Sequence, residues 1–251
     1  MSPLLQVAGL VKRFGGLTAT DHVDFEVRAG EVHAIIGPNG AGKTTLISQL
    51  AGELHPDEGR IIFEGRDITR SRVPARSLAG LGRSYQISQI FREFSALENV
   101  MLAVQAHAGH SFAFMRPVAG DATLLDPARR ALEQVGLAER ANAMVSSMAH
   151  GEHRQLELAM TLAGNPRLLL LDEPMAGMSQ KESEEMLVLL RTFKGRYGVI
   201  LVEHDMDAVF ALADRISVLV YGRIIVTGRP EEIRNNREVR DAYLGDEEGF
   251  S

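Results

Sequence analysis

One nine-residue stretch constrains this chain more than any other: Gly37-Pro38-Asn39-Gly40-Ala41-Gly42-Lys43-Thr44-Thr45. It matches the phosphate-loop pattern G-x-x-x-x-G-K-[ST] in full. Its flanks suit the motif. Glu31 to Ile36 reads as a short buried strand, and Thr45 to Gly52 reads as a helix that stops at a glycine. A strand, a glycine-rich turn and a helix N-terminus bring several backbone N–H groups to one point, and the helix dipole adds partial positive charge there. The glycines at 37, 40 and 42 leave the backbone free to turn and to approach an anion closely. Lys43 is placed to reach β- and γ-phosphates and Thr44 to hold Mg²⁺.

A second acidic motif lies downstream. Leu168 to Leu171 is a continuous apolar run of the kind buried on both faces of a parallel sheet, and it ends in Asp172 and Glu173. An acid at such a strand end can hold Mg²⁺, and the carboxylate that follows can polarise a water toward a γ-phosphate. Taken alone, the pair reads equally as a solvated turn; the complete phosphate loop before it favours the nucleotide reading.

The rest of the chain reads as α/β with a mixed sheet. Strands are expected at Leu4–Val11, His22–Val27 and Arg60–Asp67, then at Val199–Val202, with a hairpin of Ile216–Tyr221 and Arg223–Thr227 around Gly222. Helices are expected at Ala128–Val135, Glu152–Ala163, Lys181–Tyr197, Met206–Ala213 and along the charged tail Glu231–Leu244, and His110–Gly120 reads as a break. The 251 residues suit one α/β unit, with a helical segment at roughly 86–160 inserted before the second nucleotide strand.

Composition excludes more than it selects. With no cysteine there is no disulfide or thiolate metal site, and a net charge of −6 does not favour a nucleic-acid partner. Met1 to Leu10 lacks a secretory leader pattern, and no apolar run approaches the length of a membrane span. The chain is therefore expected to be soluble and cytosolic, and to work at a membrane only by docking on something that spans it.

Other segments, in order, resemble the ATP-binding subunit of an ABC transporter. Phe14 in Lys12-Arg13-Phe14-Gly15 is similar to the aromatic that stacks on adenine, and Ser84-Tyr85-Gln86 to the glutamine loop. Met148-Ala149-His150-Gly151-Glu152 aligns with the family signature, Ala176-Gly177-Met178-Ser179 with the D-loop, and Val202-Glu203-His204-Asp205 with the switch histidine. The resemblance implies a P-loop NTPase cassette with an N-terminal antiparallel β subdomain and the inserted helical subdomain. It implies ATP and Mg²⁺ as ligands. Phe14 and residues 37–45 would bind nucleotide, Thr44, Gln86 and Asp172 would organise the metal, and Glu173, Gln86 and His204 would serve hydrolysis. Ala149, His150, Gly151 and Glu152 would close the nucleotide site of a second cassette, identical or homologous.

Two positions depart from the family pattern. Ala149 replaces the signature serine, removing one charge-assisted hydrogen bond worth about 1.5–3 kcal/mol; the amides near Gly151 and the start of the following helix could still hold phosphate. Ser179 replaces the D-loop aspartate. Within the family, the segments around Phe14, Gln86 and Leu97 and the tail Val239–Gly245 most resemble importers of branched-chain amino acids, with urea and amide importers sharing the pattern. Transmembrane permease subunits and, indirectly, a solute-binding protein are the implied partners, at the cytoplasmic face of the membrane. Phe91, Phe94 and Leu97 are candidates for permease contact or for local packing. An exporter of lipid or lipopolysaccharide, or a soluble ABC protein outside transport, are the alternatives.

Overall fold

The structure, a computed structural model, describes residues 2–84, 90–107 and 122–243. Two sheets organise it. The first is antiparallel, in the order β2-β1-β4-β5, built from β1 (Leu5–Phe14), β2 (Leu17–Val27), β4 (Glu58–Phe63) and β5 (Arg66–Asp67). The second runs β10-β9-β3-β8-β7-β6, from β3 (Val32–Ile36), β6 (Leu81–Arg83), β7 (Leu168–Asp172), β8 (Gly198–Val202), β9 (Arg215–Val220) and β10 (Arg223–Gly228). All its pairings are parallel except the closing β9–β10 hairpin, so the sheet is mixed.

The central strands explain their own sequence. Every residue of β3, β7 and β8 is buried, which is why these segments read as unbroken apolar runs instead of alternating ones. The alternation appears in what each side chain touches. Leu168 and Leu170 of β7, with Ile200 and Val202 of β8, face a core shared with the antiparallel sheet and α1 (Lys43–Ala51). Leu169, Leu171, Val199 and Leu201 face the opposite core. That second core holds α3 (Ala96–His107), α4 (Ala122–Gln134) and α5 (His150–Leu162), through Val100, Met101, Leu124, Ala128, Leu132, Leu156 and Ala159.

Several elements differ from the sequence reading for identifiable reasons. A two-turn helix, α2 (Val73–Leu78), and the three-residue edge strand β6 are too short to show a period. Arg76 of α2 is fully buried and donates to the carbonyls of Gln49 and Leu50, both at 2.7 Å, and of Ser71 and Thr69, both at 2.9 Å. It thereby caps the last carbonyls of α1. Burial lowers its pKa to about 10, which leaves it charged at neutral pH.

Helix α4 starts at Ala122, six residues before the expected Ala128, and runs through Pro127. Helix α6 (Gln180–Arg191) stops six residues before Tyr197, because the chain turns so that Phe193 is buried and the Gly195 N–H reaches the Gly30 carbonyl at 2.9 Å. Helix α7 spans Met206–Leu212. The charged tail is two helices, α8 (Pro230–Arg234) and α9 (Arg237–Tyr243), split where the Asn236 side chain accepts the Glu238 amide at 2.8 Å. The expected break at His110–Gly120 lies outside the described residues.

Candidate nucleotide site

The phosphate loop leaves the carboxyl end of β3 and feeds straight into α1, at the end of a parallel sheet where open α/β folds place their ligands. The neighbouring strands β8 and β7 end beside it and deliver His204, Asp172 and Glu173 to the same edge. Two of the glycines are required by close approach. A Cβ on Gly37 would lie 2.0 Å from the Leu219 carbonyl, and one on Gly42 would lie 2.1 Å from the Ala19 carbonyl. Gly42 also has φ 107°, a region L side chains avoid. So the loop is pinned between β9 and β2, and no larger residue fits at either point.

Lys43 is buried, and its ammonium donates to the Gly37 carbonyl at 2.5 Å and the Pro38 carbonyl at 3.0 Å. A cavity of about 450 Å³ opens over the loop, bordered by Asn39 to Thr45, by Phe14, Leu17, Thr18 and Ala19, and by Glu173, His204 and Tyr221. Thr44 faces it exposed, and Phe14 stands at the end of β1 with 47% of its surface free. Phe14, the loop, Glu173 and His204 are therefore brought together. Gln86 lies outside the described residues.

The acidic side is tightly built. Asp172 is 3% exposed, and neither carboxylate oxygen has a hydrogen-bond partner among the described residues. Its ionic neighbour is the Arg83 guanidinium at 3.6 Å, beyond hydrogen-bond reach. Burial raises the Asp172 pKa, and Arg83 opposes that rise. Glu173 adopts φ 50°, an uncommon conformation for a residue with a side chain. Its amide donates to the Val202 carbonyl at 2.8 Å, and its carboxylate lies 2.8 Å from the His204 Nε2.

The sequence reading named no role for Glu203, yet it fixes this corner. It is 5% exposed and accepts the Met175 amide at 2.9 Å and the His204 amide at 3.1 Å, tying the end of β8 to the turn after Glu173. Burial raises its pKa, and those two amides pull it back. Arg83, Leu17 and Tyr221 were also unassigned, because the fold and not the local sequence brings them to this edge.

The signature-like segment is elsewhere. Ala149 to Glu152 start α5 and do not border this cavity. The N-cap alanine has no side-chain acceptor; half of a capping box survives, in which the Glu152 carboxylate accepts the Ala149 amide at 2.8 Å while also pairing with Arg140 at 2.8 Å. The Gly151 amide, expected to be open to phosphate, donates instead to Glu182 of α6 at 3.0 Å. Glu182 also accepts from the Ser179 hydroxyl and amide, a complete capping box, and these bonds hold its pKa at about 2. Ser179, where the family pattern has aspartate, is thus the N-cap of α6.

Comparison with known proteins decides what this arrangement belongs to. A family model described as ABC transporter matches residues 20–176, covering the phosphate loop, the signature-like segment and Asp172-Glu173. The chain belongs to the ABC transporter family. A second model, described as branched-chain amino acid ATP-binding cassette transporter, matches residues 223–249. The cassette is 39% identical to the high-affinity branched-chain amino acid transport ATP-binding protein LivG of Salmonella typhimurium, over 97% of this chain and 98% of LivG. It is 37% identical to the protein of the same description, BraF, of Pseudomonas aeruginosa, over 97% and 98%. The lipopolysaccharide export system ATP-binding protein LptB of Acidithiobacillus ferridurans is more distant, at 33% over 98% and 99%. Among solved structures, the ADP conformation of MJ1267, an ATP-binding cassette of an ABC transporter, superposes with a TM-score of 0.86 at 27% identity, covering 98% of this chain and all of MJ1267. The cassette is an ABC ATPase, with the α/β P-loop fold of that family.

Proposed function

We propose that this cassette hydrolyses ATP to power an importer of branched-chain amino acids. The observation that carries the reading is the near-complete coverage of LivG together with the tail model at residues 223–249. In this reading Phe14 stacks the adenine and the amides of residues 40–45 hold phosphate oxygens, with the Lys43 ammonium exchanging its loop carbonyls for the β- and γ-phosphates. Glu173 accepts a hydrogen bond from the attacking water. The 2.8 Å contact with His204 holds that carboxylate in place, and the imidazole meets the γ-phosphate end.

Magnesium fits the acidic side. Both Asp172 oxygens are buried with open lone pairs, and such a hard divalent ion takes oxygen ligands. Among the described residues no group of three or more acidic or histidine side chains could hold a metal alone; magnesium held by substrate phosphates needs only one or two protein ligands. Thr44, Asp172 and Gln86 are those we assign. When bound, the ion neutralises charge on the phosphates.

The partners follow from surfaces. Residues 86–160 act as an inserted helical subdomain. A second cleft, bordered by Val73, Ser77, Leu81, Ile90, Ala103 and Met160, separates α2 and β6 from α3 and α5. Beside it, the exposed rings of Phe91 and Phe94 pair at 5.5 Å. We assign this face to a transmembrane permease, and residues 149–152 to the nucleotide of a second cassette, with a solute-binding protein acting through the permease. Among the described residues no helix is long and apolar enough to cross a membrane, which suits a peripheral place on the cytoplasmic face.

The test is uptake in cells where the parent chain is replaced by Lys43→Ala. Leucine, isoleucine and valine uptake should fall while urea uptake and envelope lipid stay unchanged. Loss of urea uptake, or an envelope-lipid defect with normal amino-acid uptake, would overturn the solute assignment.

A further inference from the structure

The rim of the phosphate-loop cavity carries a residue that the motifs leave unexplained. Three of the exposed large apolar side chains, Phe14, Leu17 and Tyr221, border this one cavity. Tyr221 is 87% exposed, and its side chain has no hydrogen bond or ring contact among the described residues. Val220 pairs with Arg223, so Tyr221 and Gly222 form the two-residue turn between β9 and β10. Both have positive φ, 48° and 79°. Turns of this kind favour Asn, Asp or Gly at their first position, and a bulky aromatic there is an outlier. The turn is nonetheless held firmly against the site. The Gly222 amide donates to the Ala41 carbonyl of the phosphate loop at 2.9 Å, and its carbonyl accepts the Asp21 amide of β2 at 2.8 Å. Arg223 adds an ion pair to Asp21 at 2.6 Å.

A ring that buries nothing and occupies a backbone conformation it disfavours does not serve the fold. Strained residues of this sort cluster at ligand sites. We propose that Tyr221 is a nucleotide-contacting residue, a second aromatic surface for the nucleoside half of ATP, carried on a different element from Phe14. A planar base or a ribose offers the apolar faces and hydroxyls that a tyrosine ring and its hydroxyl can meet. The triphosphate, which lies along the loop amides and Lys43, gains nothing from it. This inference rests on the nucleotide reading of the cavity.

The experiment measures binding of ATP and of inorganic triphosphate, each with Mg²⁺, to the full-length parent, Tyr221→Asn and Tyr221→Phe, with thermal unfolding of each. Tyr221→Asn should weaken ATP about three- to tenfold, in line with a lost aromatic contact, and leave triphosphate affinity unchanged. Its unfolding temperature should equal or exceed the parent's, since asparagine suits the turn. Tyr221→Phe should keep most of the ATP affinity. Unchanged ATP affinity in Tyr221→Asn overturns the proposal. So does an equal loss for both ligands, which would mean that the turn acts on the phosphate loop through Gly222. A folded parent that binds neither ligand overturns the phosphate-site reading itself, and this proposal with it.

Discussion

The cassette has two helix N-termini suited to anions, and they are finished differently. At α1 the loop supplies glycines pinned by two carbonyls, and a buried lysine lies over them. The loop amides and the lysine at this helix end come from consecutive residues. At α5 the cap residue is Ala149, and the amide two positions on is already taken by the Glu182 carboxylate. That end is completed from a distant part of its own chain. The comparison teaches that a site built from local sequence can be read from a motif, while a shared or composite surface is shaped by contacts that no motif records.

The largest effect should come from the catalytic edge. Glu173→Gln should lower ATP turnover about a hundred- to ten-thousandfold while ATP still binds; turnover at the parent rate would remove Glu173 from its assigned role. Replacing Glu182, across the molecule, should leave ATP binding to the isolated chain intact, and a matching loss there would erase the contrast between the two helix ends.

Next comes the segment leading into the helical region. The buried Asn99 side chain accepts the Phe91 amide at 2.7 Å and donates to the Phe91 carbonyl at 3.0 Å. Asn99→Ala should destabilise by about 1–3 kcal/mol, the usual loss for buried polar bonds, read from denaturant unfolding. An unchanged midpoint would show that this clamp does not support the Phe91–Phe94 face. Ala149→Ser restores a side-chain acceptor at the N-cap of α5 and should stabilise by about 1 kcal/mol. No gain would show that the Glu152 half of the capping box already satisfies that end.

The smallest effect is a pH dependence. Glu182 has a folded pKa of about 2, below its ordinary 4.5, through its bonds with Ser179 and Gly151. Its contribution is fully present above about pH 4.5 and is lost as the pH falls through about 2. Parent and Glu182→Gln should therefore differ in unfolding midpoint at pH 6 and converge toward pH 2. A difference that stays constant with pH would mean that the charge on Glu182 plays no part.

Much of the parallel core was legible because strands buried on both faces write themselves as Leu168–Leu171 or Val199–Val202. The phosphate loop, Asp172 and Glu173 stood out as candidates for a related reason, since strand ends put chemistry at fixed local spacing, whereas His204 entered only through the family resemblance. Glu203 was hidden because its function lies in amides brought to it by the fold. Arg83 and Arg76 were hidden because their partners sit on other elements, and α2 and β6 because so few residues carry no period. Glu182 belongs to no motif; only the packing of α6 against α5 gives it the Gly151 amide.

The central claim is that the loop amides and Lys43 grip a triphosphate. Equilibrium titration of the purified chain with ATP and Mg²⁺ tests it most directly, with Lys43→Ala alongside. The account predicts saturable, magnesium-dependent binding to the parent and its loss in Lys43→Ala with the fold intact. A parent that shows no such binding, or a Lys43→Ala variant that binds as the parent does, would contradict it.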